Sequence, residues 1–81
     1  MNVSNSYMQA ITTKYLGPTN TKGSRIKATC EAGSITVYYD YEFSASDNHD
    51  SACKALLNKL EWDGTYIGGG YSNGYIYVCN N

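Results

Sequence analysis

The sequence predicts an α+β domain: an antiparallel sheet of four to five strands with one helix packed on one face. Three observations carry this. Residues 24–43 contain two runs with apolar side chains at every second position, separated by a short turn. From Asp47 onward, apolar side chains recur at helical spacing. Nine tyrosines in 81 residues favour strands, because the ring packs while the hydroxyl stays wet. A chain of this length makes one domain, 1–81, with a modest core, and self-association is a natural supplement to its stability.

The elements follow in chain order. Residues 1–6 are polar and read as a frayed end. A first strand should run from about Tyr7 to Leu16 and stop at Gly17-Pro18, since proline lacks a ladder donor. A loop to Gly23 follows. In residues 24–30, Ile26, Ala28 and Cys30 take one face and Arg25, Lys27 and Thr29 the other. In residues 34–43, Ile35, Val37, Tyr39, Tyr41 and Phe43 oppose Thr36, Tyr38, Asp40 and Glu42. With Ala32-Gly33 as the hairpin tip, Cys30 faces Ile35, Ala28 faces Val37 and Ile26 faces Tyr39 on the core side. Outside, Lys27 then faces Tyr38 and Arg25 faces Asp40. Alanine is a poor type I′ residue, so a longer loop is the alternative.

Asp47 is the expected N-cap, and Ala52, Cys53, Leu56, Leu57 and Leu60 the buried stripe. Lys54, Asn58, Lys59 and Glu61 should face water, and Asp63-Gly64 should end the helix. Tyr75 to Val78 reads as the closing strand after the Asn73-Gly74 turn signal. Thr65 to Gly68 is its short candidate partner, which makes the order β-β-β-α-β with an optional extra strand.

Charge is divided unevenly. Lys14, Lys22, Arg25 and Lys27 precede the first acid, and all seven acids lie between Glu31 and Asp63. The basic third coincides with the Gly17–Arg25 loop, so the expected contact is an oriented one with something negative. The candidate binding residues are Lys14, Asn20, Lys22, Arg25, Lys27, Tyr38, Tyr71 and Tyr75. Exposed tyrosines beside cations suit a protein hot spot or base stacking. The competing reading is a solvated loop and ordinary sheet surface.

Catalytic patterns do not hold up. Lys22 precedes Gly23, so the loop is not a Walker motif. No helix follows Gly68-Gly69-Gly70, which excludes a dinucleotide fingerprint. His49 and Cys53 stand four apart, but a metal needs more ligands and a nucleophile needs an orienting partner, so His49 reads as a surface residue. Asp40 and Glu42 share a strand face without a cleft. Cys30, Cys53 and Cys79 lack Cys-x-x-Cys spacing and are expected to be free thiols. No cofactor, metal or enzymatic activity is expected.

The block Ala10-Ile11-Thr12-Thr13-Lys14-Tyr15-Leu16-Gly17-Pro18-Thr19-Asn20-Thr21-Lys22-Gly23-Ser24-Arg25-Ile26-Lys27-Ala28, with the later Gly68–Tyr75 segment, resembles small proteins of phages, plasmids and other bacterial mobile elements. That family has no assigned activity to carry over. The resemblance implies an accessory protein acting in the cytoplasm of a bacterial host. There, proteins of this size are often inhibitors of defence nucleoproteins, anti-CRISPR proteins among them. The expected partner is therefore a host protein or nucleoprotein complex, with direct nucleic-acid binding as the alternative. A sequence pI near 5.6 and six cations weigh against the alternative. No apolar run long enough for a membrane span is visible.

Overall fold

The structure, a computed structural model, describes residues 9–71 and 74–79. Its elements are β1 (Ile11–Leu16), β2 (Arg25–Cys30), β3 (Gly33–Tyr38), α1 (Ala45–Leu60), β4 (Tyr66–Tyr71) and β5 (Gly74–Cys79). All strand pairs are antiparallel, and the sheet order is β3-β2-β1-β5-β4. The optional extra strand is therefore a full one, and β5 inserts beside β1 to leave β4 on the edge. The frayed end expected at 1–6, the first strand's start at Tyr7 and Asn73 of the turn lie outside the described residues.

One face of the sheet is covered by α1. Ile11, Ile26, Ala28 and Tyr77 from the strands meet Ala52, Cys53 and Leu56 from the helix. All seven are buried, with Ile11, Ile26, Ala28, Ala52 and Leu56 fully so. The helix packs on β1, β2, β3 and part of β5. No described helix is long and apolar enough to cross a membrane.

Four local expectations are corrected. The β2–β3 tip is Glu31-Ala32, not Ala32-Gly33, so Cys30 pairs with Gly33, Ala28 with Ile35 and Ile26 with Val37. The shift is two residues, which moves every partner yet keeps every face. Neither tip residue has positive φ, so the turn needs no glycine, and the Ala32 amide is held by Gln9 Oε1 at 2.9 Å. On the outer side Arg25 now faces Tyr38, and Lys27 faces Thr36.

Second, β3 stops at Tyr38 rather than Phe43. Asn48 Oδ1 accepts from the Asp40 amide at 2.7 Å, while Asn48 Nδ2 donates to the Asp40 and Ser44 carbonyls. The Glu42 amide donates to Asp40 Oδ1 at 2.9 Å. These side-chain bonds satisfy the backbone in a turn and displace the ladder. Tyr41 and Phe43 are consequently exposed.

Third, Ser44 caps α1, its hydroxyl accepting from the Asp47 amide at 3.1 Å. Asp47 instead sits in the first turn, where the dipole favours it. The helix ends at Glu61, left-handed at φ 59°, with Trp62 N donating to the Leu57 carbonyl and Glu61 N to that of Asn58. This Schellman pattern closes it before Asp63-Gly64. Fourth, Leu57 and Leu60 are half-buried rather than buried; Lys59, exposed as expected, also donates to the Ser34 carbonyl at 2.7 Å.

Candidate binding face

The face that α1 leaves bare carries most of the candidate residues. Pairing places Lys14 directly opposite Lys27, with Thr36 beyond Lys27 on β3 and Gly74 beyond Lys14 on β5. Gly74 pairs in turn with Tyr71. Having no side chain, Gly74 leaves Tyr71 as the next group on the Lys14 side. A Cβ at Gly74 would run into the Thr13 carbonyl, so the position requires glycine. One row up, Tyr38, Arg25 and Leu16 stand side by side. One row down run Ser34, Thr29, Thr12, Ile76 and Gly69. No acid occurs in these rows.

Lys14 and Lys27 are exposed, and Tyr38 is 74% exposed. Like charges directly opposite on neighbouring strands repel. The fold thus holds a small electrostatic cost on this face that an anion would relieve. Arg25 is braced by its own loop, Nε donating to the Gly23 carbonyl at 3.1 Å and Nη2 to that of Gly17 at 3.4 Å. The expected outer pairing of Arg25 with Asp40 is absent, because Asp40 has left the strand. Lys22, Arg25, Thr36 and Tyr38 line a notch of about 250 Å³.

The loop between β1 and β2 is internally ordered. Thr19 Oγ1 accepts from the Lys22 amide at 3.0 Å, and the Thr19 amide donates to the Lys22 carbonyl at 2.7 Å. Its exit is fixed by buried Ser24, whose hydroxyl accepts from Tyr41 at 2.7 Å and bonds Tyr15 at 2.8 Å. Tyr39 packs against both Tyr15 and Tyr41, completing an aromatic clamp. Asn20 is exposed on the loop, which presents it alongside Lys22.

Tyr75 does not belong to this site. It lies on the helix side, packed against His49 with ring centroids 4.7 Å apart and the rings tilted by 39°. His49 was expected at the surface and is instead 4% exposed, its Nδ1 bonded to Thr13 Oγ1 at 2.7 Å. Beside them Tyr77 donates to Asp50 at 2.6 Å. The stripe of α1 begins one turn earlier than the apolar residues alone suggest. The sequence signal for His49 was its i, i+4 spacing to Cys53 and i, i+7 spacing to Leu56.

This cluster is poorly suited to nucleophilic chemistry. Burial pushes the Cys53 thiol up to about 11, with the Asp50 charge adding to it, so the sulfur is held as thiol. Burial also lowers the His49 pKa, only partly opposed by Asp50. Burial first, and the Asp50 hydrogen bond second, push the Tyr77 phenol upward. Cys30, Cys53 and Cys79 are all free thiols. Among the described residues, no group of His, Cys, Asp or Glu is arranged to hold a metal ion. Asp40 and Glu42 share a turn rather than a strand face. Comparison with protein-family models, curated proteins and solved structures finds no match to this chain.

Proposed function

We propose that this protein is a non-enzymatic binding module that engages an anionic macromolecular surface with the helix-free face of its sheet. The observation that carries the reading is the Lys14–Lys27 pair: two cations held opposite each other, flanked by Arg25 and Tyr38, in rows without an acid. A rigid sheet presents this row with little ordering cost on binding. The hydroxyl row of Ser34, Thr29 and Thr12 adds neutral donors beside it. The mobile-element resemblance directs the partner to a defence nucleoprotein of a bacterial host, with inhibition as the outcome. A direct nucleic-acid contact is the second reading, favoured by exposed Tyr38 beside Arg25 as a stacking platform. It is disfavoured by the net charge of −1.

The test is a Lys14→Glu, Lys27→Glu double variant. It reverses the row without changing its self-repulsion, so stability should stay within about 0.5 kcal/mol of the parent. Capture of partners from a bacterial host lysate should fall tenfold or more. Nuclease-resistant capture supports the protein or nucleoprotein partner, and nuclease-sensitive capture the second reading. Undiminished capture by the folded double variant refutes the face.

A further inference from the structure

The sheet has two edges, and they are finished differently. The Tyr39 amide bonds the Ser24 carbonyl at 3.0 Å, so Val37–Ile26, Ile35–Ala28 and Gly33–Cys30, each two residues further on, are also hydrogen-bonded pairs. The strand registers run without a bulge, so this alternation passes from strand to strand. Ile11 and Thr13 bond β5, and Gly74, Ile76 and Val78 bond β4. The N–H and C=O groups of Ser34, Thr36 and Tyr38 then point outward at the β3 edge. Those of Tyr66, Gly68 and Gly70 point outward at the β4 edge. At β3, Lys59 occupies the Ser34 carbonyl, an edge guarded by a charge. β4 carries no charge, no proline and no bulge along Tyr-Ile-Gly-Gly-Gly-Tyr, and five of its six residues are exposed.

Its glycines are not all explained by the single chain. A Cβ at Gly68 would strike the Tyr77 ring, so Gly68 is required. A Cβ at Gly69 meets nothing within 4 Å. Gly69 nevertheless sits between Ile67 and Tyr71 on the bare face, paired with Ile76. We propose that a second copy of this chain adds its β4 to this edge, antiparallel about a twofold axis at Gly68. In that register Tyr66 pairs with Gly70 of the other copy, and Gly68 with Gly68. Every outward group is then matched, because the outward residues of both copies meet as hydrogen-bonded pairs. On the bare face, Ile67 falls opposite the partner copy's Gly69, whose missing side chain makes room for it. Ile67 thereby reaches Ile76 of the other copy. Ile67, Ile76 and Val78 are 54%, 39% and 49% exposed in the single chain, and the pairing joins them into one apolar row. Neither β4 nor β5 carries a charged side chain, so the two copies meet without repulsion, and the lysine pairs stay apart.

A single edge ladder buries a small area, so the dimer belongs to the weak, transient class. The test is sedimentation equilibrium of the full chain from about 10 µM to about 1 mM. The weight-average mass should rise from 8.9 kDa toward twice that value. Two variants separate the edge from other contacts. Gly70→Pro removes an outward N–H, and Gly69→Lys fills the gap with a charge in open space. Both should stay folded and monomeric at every concentration. Amide resonances of Gly68 and Gly70 should shift with concentration in the parent, while those of Ser34 and Thr36 should not. A parent that stays monomeric at the highest concentration, or a dimer that survives in both variants, overturns the proposal.

Discussion

Replacing Lys14 with glutamate should stabilise the fold while weakening its binding. Lys14 and Lys27 are direct cross-strand partners on an exposed face. Ammonium groups on such a pair lie about 6 Å apart, which at the permittivity of water amounts to roughly 0.7 kcal/mol of repulsion. Salt at 0.15 M screens over about 8 Å and roughly halves this. Glutamate at position 14 turns the repulsion into an attraction of equal size. The pair energy therefore changes by about 0.7 kcal/mol at 0.15 M salt and by about 1.1 kcal/mol at 0.01 M. For a domain this small, the 0.15 M figure raises Tm by about 3–6 °C. Lys14→Gln should show half the gain, since it removes the repulsion without adding an attraction. The assay is thermal unfolding by circular dichroism at both salt concentrations. A Lys14→Glu protein that melts at or below the parent in both buffers would refute the close pairing. Partner capture should fall for the same variant, so that stability and binding move in opposite directions. That divergence is the signature of a charge kept for recognition rather than for folding.

Three further outcomes follow from the core. Burial depresses the His49 pKa, so the unfolded chain binds the proton more tightly than the folded one. Stability from this group is complete above the unfolded value near 6.5 and is lost as pH falls below it toward the folded pKa. Urea titrations between pH 7.5 and 5.5 should show this decline, and His49→Gln should flatten it. Gly68→Ala should cost about 1–3 kcal/mol by displacing the Tyr77 ring from Asp50, whereas Gly69→Ala should be neutral or slightly stabilising. Equal urea midpoints for the two would show that the Tyr77 ring yields freely. Leu56 is fully buried and Leu60 only partly, so Leu56→Ala should cost about 2–5 kcal/mol and Leu60→Ala distinctly less.

The fold class, the single helix and the face of each residue in β2 and β3 were legible in the sequence alone. The alternation around Ile26, Ala28, Ile35 and Val37 is a period-2 signal, and sidedness depends only on that period. Partner identity does not. A shift of two residues leaves every face intact, so Glu31-Ala32 and Ala32-Gly33 look equally good until the tip is built. The run from Tyr39 to Phe43 kept the same alternation but became a turn, because Asn48, a helix residue, captured its backbone from afar. Local pattern cannot see a competitor eight residues away. The candidate site divides along the same line. Lys14, Lys22, Arg25, Lys27 and Tyr38 were visible as charge and exposure, and the pairing of β2 with β1 and β3 gathered them. Tyr71 joined that face and Tyr75 was excluded from it only when β5 inserted beside β1. That insertion set the parity of the hairpin, and so decided which tyrosines face the helix. His49 was polar enough to read as surface, and only the Thr13 hydroxyl on a neighbouring strand made its burial tolerable. Composition and periodicity are properties of a segment, and they determined the elements. Registers, edges and satisfied buried polar groups are properties of pairs distant in sequence, and only the tertiary structure could decide them.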